Sequence, residues 1–211
     1  LQTMRDSGAV YIGYGLESAT DEILSSMMKK TSRKQNYNAV VNARKAGLKV
    51  VAQYMMGFPG ESIASVRESV EFFKELDYCP PLGLESSPFI SLTTALPGSQ
   101  LYVDCIDKGL IKDEDEYLEK ITTGYFHNKE VVVNLTDFSD EELLGLKTAA
   151  EQEIYDSMLK NAIQRDKFFV YKFLIKRILT EIRLHGLRKT LGVIFLKLSK
   201  ILVKLTENPK S

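Results

Sequence analysis

The chain has 211 residues, with 28 basic and 28 acidic side chains, 44% hydrophobic and 27% charged residues, a composition that says folded and gives length enough for a substantial core. It carries no charged-then-apolar signal segment at its front and no apolar run approaching the ~18 residues of a spanning helix, so a cytoplasmic location is the default. The zero net charge hides an uneven distribution: residues 1–159 hold 15 basic and 25 acidic side chains, residues 160–211 hold 13 and 3, an acidic body and a basic tail.

After a few polar residues, Ala9–Ser18 reads as a buried apolar strand finishing in Gly15-Leu16-Glu17-Ser18. Thr20 or Asp21 caps a helix through Met28. Thr31 or Ser32 caps a second, with Tyr37, Val40 and Val41 at helical spacing and Gly47 closing it. The stretch that organises the rest follows: Val50-Val51-Ala52-Gln53-Tyr54-Met55-Met56 is short enough for a strand, and Gly57-Phe58-Pro59-Gly60-Glu61 breaks it abruptly. A run this apolar predicts a parallel strand covered on both faces, with the chemistry in the loops at its carboxyl end.

Ile63, Val66, Val70 and Phe73 place a helix over about 62–76. Cys79-Pro80-Pro81 ends it, and Gly83–Ile90 resumes an extended path. Strand, helix, strand, helix, strand in succession argues for a parallel α/β sheet or a barrel segment, and three strands cannot close a barrel. The loop Thr93–Gln100 enters a helix from Leu101 to Lys108. Asp113–Glu119 reads as an acidic solvated segment, Glu130–Leu135 as a short extended piece, and Ser139-Asp140-Glu141-Glu142 as a capping box opening a helix through Tyr155.

In the tail, Phe168, Tyr171, Ile175, Ile178, Leu179 and Ile182 share one helical face opposite Lys172, Lys176, Arg177 and Arg183, and Leu187 to Leu205 repeats the pattern beyond Gly186. Three readings stand open: helices packed back on the body, a basic amphipathic surface for anionic membranes through 166–205, or a partner helix. Nucleic acid is disfavoured, because no aromatic platform interleaves with the basic face.

Glu17, Gln53, Glu61 and Glu85 lie within or just past otherwise apolar strands, where a charge is costly unless paired or facing a ligand. Glu61 serves equally well as a cap for the helix after it. Cys79 and Cys105, the two cysteines, fit no metal-binding spacing and read as reduced structural thiols, and His127 and His185 have no ligand or nucleophile pattern around them.

Taken together, Gly13–Ser18, Met27–Lys30, Ala46–Val50, Met56–Ser62 and Leu96–Tyr102 with Lys108-Gly109 resemble the second half of a radical S-adenosylmethionine (SAM) catalytic domain. The flavour is that of the cobalamin-binding group that includes the anaerobic magnesium-protoporphyrin ester cyclase. The resemblance implies the last three β/α units of a partial six-stranded TIM-like barrel over residues 1–112; beyond it, charge and periodicity read as an acidic connector and helix over 113–159 and a basic helical tail over 160–211. It implies SAM contacts from Gly15, Glu17, Ser18, Gln53, Met55, Gly57, Pro59 and Gly60, and a substrate-side loop at Pro97 and Gly98. The family reduces SAM at a [4Fe–4S] cluster to a 5′-deoxyadenosyl radical for methylation, cyclisation or rearrangement, with cobalamin as a further cofactor in that group.

The family's C-x3-C-x2-C cluster motif does not occur here. The expectation is therefore a fragment of a longer enzyme, inactive by itself, with cluster ligands outside the chain and an unpaired sheet edge where strands are missing. The alternative is a non-catalytic remnant serving as a membrane- or partner-docking module. An aldolase-like TIM-barrel fragment ranks last, since the strand ends lack a lysine or metal ligands.

Overall fold

The computed structural model describes residues 1–76, 89–124 and 130–165, with Ile175, Leu179 and Arg183 beyond them. Cys79, Glu85, His127, His185, the stretch 83–88 and the apolar faces of the tail other than Ile175 and Leu179 lie outside the described residues. By its contacts the chain separates into Leu1–Asp156 and Ser157–Ser211.

The first unit is built on a three-stranded parallel sheet, β1 (Tyr11–Glu17), β2 (Lys49–Met56) and β3 (Phe89–Leu92), with β2 in the middle. A short helix α1 (Gln2–Asp6) precedes it; α2 (Asp21–Ser26) and α3 (Arg33–Lys45) connect β1 to β2, and α4 (Ile63–Glu75) follows β2. The helices start where side chains can satisfy their first N–H groups. Ser32 and Gln35 form a reciprocal capping box on α3, and Ser62 with Ser65 does the same on α4.

The sheet is covered on one face. In β2, Val50, Ala52, Tyr54 and Met56 are buried while Lys49 and Gln53 are exposed. The buried set meets α3 and α4: Val40 and Ala43 come from the former, Val66, Val70, Phe72 and Phe73 from the latter, and Tyr54 stacks on Phe73 at 5.5 Å between ring centroids. Each buried Val, Phe or Met among them contributes about 1.5–3 kcal/mol, the alanines less. Arg33 lies over the Phe72 ring at 5.2 Å and bonds Glu75 at 2.9 Å, closing the outer side of this layer.

The expected coverage of both faces is not found among the described residues. β1 is an edge strand with Tyr11 60% exposed and Gly13 and Gly15 also exposed, because it pairs on one side alone and nothing described lies over its second face. The sequence pattern was right about which residues are apolar and wrong about how many faces are filled.

The acidic stretch Asp113–Glu119 is exposed apart from Tyr117, as expected, and lies largely in helix α6 (Glu114–Gly124), whose first-turn Glu114, Asp115 and Glu116 suit the positive helix end while Tyr117 and Ile121 turn inward. One further segment departs from expectation. Residues 130–135 are irregular rather than a strand. Val133 there joins Ala95, Cys105, Ile111, Tyr117 and Tyr102 in a satellite core that seats helix α5 (Gln100–Asp107). The last helix, α7 (Asp140–Arg165), opens with the predicted reciprocal pair, Ser139 and Glu142, and runs ten residues past Tyr155.

Candidate functional site

The carboxyl end of β1 is where local backbone and side chains depart most from the ordinary. Pairing with β2 runs in register through Gly15↔Gln53 and then jumps to Glu17↔Tyr54, a bulge that inserts Leu16. Leu16 turns into the core, its carbonyl accepting the Asn36 amide from α3 at 3.2 Å. Glu17 takes φ +64, a left-handed conformation that a non-glycine residue adopts at a cost on the order of 1–3 kcal/mol. The result is that its carboxylate folds back over Gly15.

Lys29 holds it there. The ammonium donates to Glu17 Oε1 at 3.2 Å and to the Gly15 carbonyl at 3.0 Å. The pair is partly sheltered, with the Glu17 side chain 13% exposed and Lys29 38%. A Cβ on Gly15 would stand 2.3 Å from Glu17 Oε1, whereas one on Gly13 would meet nothing within 4 Å. Gly15 is therefore required by this carboxylate, and Gly13 is not.

What brings Lys29 back to β1 is the way α2 ends. Met28 N–H donates to the Ser25 carbonyl and Lys29 N–H to the Leu24 carbonyl, both at 2.9 Å, around Met28 at φ +55. This is a Schellman cap with methionine in the place glycine usually takes. The same bond pattern closes α3 at Gly47 and α5 at Gly109. Glu17 and Met28 are the non-glycine residues of positive φ among those described, and they flank one ion pair.

On the open sheet face, Gln53 lies beside Gly15 by register and is exposed, with Met55 half-buried two residues on and Ser91 beside it from β3. The structure thus brings Gly15, Glu17, Gln53 and Met55 together. Ser18 is not brought to that face. It is fully buried, its hydroxyl accepting from Thr20 N–H and lying 3.4 Å from Ser69 Oγ, which also accepts from Ala19 N–H.

Gly57 has a structural place as well: φ is +89, and a Cβ there would lie 3.3 Å from Leu143 of α7. Its N–H donates to Glu61 Oε2 at 2.6 Å, and Phe58 N–H donates to the same oxygen at 3.3 Å. Glu61 therefore clamps the turn, and Ser62 caps α4 in its stead. The Glu61 carboxyl, 6% exposed, is pushed up to about 7 by burial, against which its two N–H donors act. Burial, then the Glu61 charge, also raises the Tyr54 phenol.

Pro59 and Gly60 make a turn of the type II pattern, with Gly60 at φ +86 and Glu61 N–H bonded to the Phe58 carbonyl at 3.1 Å. Pro97 and Gly98 repeat it: φ is +85 at Gly98, Ser99 N–H reaches the Leu96 carbonyl at 3.0 Å, and Ser99 caps α5. Pro59 and Gly60 line a cleft against α5, while Pro97 and Gly98 are exposed outside it.

Residues 1–73 match the family model described as the Radical SAM superfamily. Over that stretch the chain is similar to the radical SAM superfamily. Among curated proteins the chain is 27% identical over 176 residues to an uncharacterized methyltransferase of Pyrococcus horikoshii, covering 83% of this chain and 35% of that protein. It is 26% identical to the cytidylyl-2-hydroxyethylphosphonate methyltransferase of Streptomyces wedmorensis, over 67% of this chain and 26% of the other. It is 30% identical to the bacteriochlorophyllide d C-12(1)-methyltransferase of Chlorobaculum tepidum, over 53% and 23%. The chain spans about a quarter to a third of the length of these relatives.

The matched family is one of enzymes that use SAM with a [4Fe–4S] cluster, and the sheet of this chain is small and parallel. The two groups fare differently on these residues. Glu17 and Lys29 present a carboxylate and an ammonium, the charge complement of an amino-acid head. An iron–sulfur cluster does not fit: among the described residues no three His, Cys, Asp or Glu side chains could hold a metal ion, and Cys105 is a buried thiol.

Proposed function

We propose that residues 1–112 are the carboxyl-terminal half of a radical SAM barrel and bind SAM on the open face of β1 and β2, within an enzyme of the methyl-transfer class. The observation that carries this is the Glu17–Lys29 pair folded over Gly15 beside exposed Gln53. A carboxylate and an ammonium side by side complement the zwitterionic head of an amino acid, and exchange of one intramolecular ion pair for two intermolecular ones leaves no charge unpaired. Gln53 offers an amide for hydroxyls of the sugar, and Met55 an apolar surface for the base.

Methylation, ahead of cyclisation or rearrangement, is supported by the names of the relatives. When bound, SAM supplies the reactive sulfonium; this chain's share is to hold it and fix its orientation, and cluster ligation falls to residues outside the chain. Cobalamin as a second cofactor rests on the likeness to the cobalamin-binding group. Residues 113–159 are then a connector and 160–211 an appended basic tail. Calorimetric titration of the chain with SAM tests the reading. Glu17→Ala weakens binding about tenfold with an unchanged melting temperature, and unchanged affinity removes Glu17 from the site.

A second reading concerns the tail. Ile175 and Leu179, four residues apart in helix, are 57% and 61% exposed, which favours an outward apolar stripe. On this reading 166–205 docks on anionic membrane, at the inner face for a cytoplasmic enzyme. Among the described residues no helix is long and apolar enough to cross a membrane. Vesicles containing phosphatidylserine retain the chain at low salt and release it at high salt if this holds; no retention at low salt rejects it.

A further inference from the structure

We infer that the cleft between the β2–α4 turn and α5 is a binding site for a small aromatic or aliphatic carboxylate, with Lys108 as its counter-ion. The cleft measures about 590 Å³, within the roughly 300–1,000 Å³ range of small-molecule sites. It stands at the carboxyl ends of β2 and β3, where the loops of a parallel sheet accept ligands.

Its walls are preformed because each is anchored by bonds that do not cross the cleft. The Phe58–Gly60 wall is held by Glu61 taking the Gly57 and Phe58 N–H groups. The α5 wall is seated from behind by Tyr102 and Cys105 in the satellite core, where Tyr117 Oη donates to the Ala95 carbonyl at 2.8 Å. The third wall, at Leu135, is fixed by Asn134, whose amide donates to the Phe138 carbonyl at 2.7 Å and to Asp140 Oδ1 at 2.8 Å.

Charge selects the ligand. Asp104 and Lys108 both line the cleft, one helical turn apart, a spacing at which they would ordinarily pair. Asp104 instead accepts the Gln100 amide at 2.8 Å, and the Lys108 ammonium makes no ion pair or hydrogen bond among the described residues, while its backbone N–H donates to the Asp104 carbonyl at 3.0 Å. The cleft therefore presents a committed carboxylate and an uncommitted ammonium. Burial, with Asp104 adding to it, raises the Cys105 thiol and keeps it neutral, so it does not compete as an anion. Phe58, Pro59, Leu101, Leu110 and Leu135 supply apolar wall, with Leu110 47% exposed at the mouth. An apolar body ending in a carboxylate satisfies both features. The inference does not rest on SAM being bound.

The test uses the full chain, with 2-naphthoate and its neutral analogue 2-naphthylmethanol as probes, by calorimetry and by amide chemical shifts. Naphthoate binds saturably and shifts the amides of Gly60, Lys108 and Leu110. Lys108→Gln weakens it about tenfold and Lys108→Glu further, while the neutral probe is unaffected. Lys108 is exposed, so both variants fold, which matched melting curves verify. No saturable binding, shifts located elsewhere, or naphthoate affinity insensitive to Lys108→Glu would each overturn the assignment.

Discussion

The Lys29 ammonium lies 3.2 Å from Glu17 Oε1 and 3.0 Å from the carbonyl of Gly15, tying the end of α2 to the end of β1. Neither partner arrives there without strain, since Glu17 itself and Met28, the residue before Lys29, both occupy the left-handed region. A partly sheltered pair of this kind contributes on the order of 1 kcal/mol, comparable to or below the backbone cost of each left-handed residue. The proposed SAM site gives this arrangement a use that stability alone does not.

Lys29→Met is accordingly expected to lower SAM affinity about tenfold while shifting the melting temperature little. Calorimetry and a thermal melt on the same preparation separate the two effects. A large drop in melting temperature with unchanged affinity would make Lys29 a structural residue.

Substitution at Met28 runs the other way. Met28→Gly relieves the left-handed backbone of a side chain that is 74% exposed, and a gain of about 0.5–1 kcal/mol in denaturant unfolding is expected. A loss would mean that Met28 makes a contact its exposure does not suggest.

The two glycines of β1 behave differently under the same change. Gly15→Ala brings a methyl to 2.3 Å from the Glu17 carboxylate and displaces it, so SAM binding falls; Gly13→Ala enters open space and is tolerated. Parallel affinity measurements check this, and equal effects at both positions would contradict the geometry.

The pH dependence follows from Glu61. Its carboxyl is raised from 4.5 to about 7 in the folded chain, so the folded state favours the protonated form. Its contribution to stability is fully present below pH 4.5 and is lost as pH rises to about 7, amounting to on the order of 3 kcal/mol. Glu61→Gln removes that slope: against the parent chain, the variant gains at pH 8 relative to pH 5. Urea unfolding at the two pH values measures it, and an unchanged slope would show that Glu61 is not the group responsible.

Much of this architecture is legible in the sequence because it is written in local chemistry. Ser32, Ser62, Ser99 and Ser139 mark helix starts, Gly47 and Gly109 mark ends, and two Pro-Gly pairs mark turns, each decided by the residues within four positions. The Glu17–Lys29 pair was not legible in that way. It depends on a methionine taking a glycine's backbone position and on a bulge that reverses Glu17, and neither has a composition signal; Lys29 entered the sequence reading within Met27–Lys30, a stretch of the family resemblance. Glu61 was equally ambiguous, since a clamp on the preceding turn and a cap on the following helix call for the same residue. Burial on both sheet faces was over-read for β1 because apolar side chains record what a strand can bury, not what lies over it.

SAM bound on the face shared by β1 and β2 would report itself in amide shifts of the isotope-labelled chain during a titration. Saturable shifts centred on Gly15, Glu17, Lys29, Gln53 and Met55, lost in Glu17→Ala, are expected. Saturable shifts confined to other residues, or none at millimolar SAM, would rule out binding on that face.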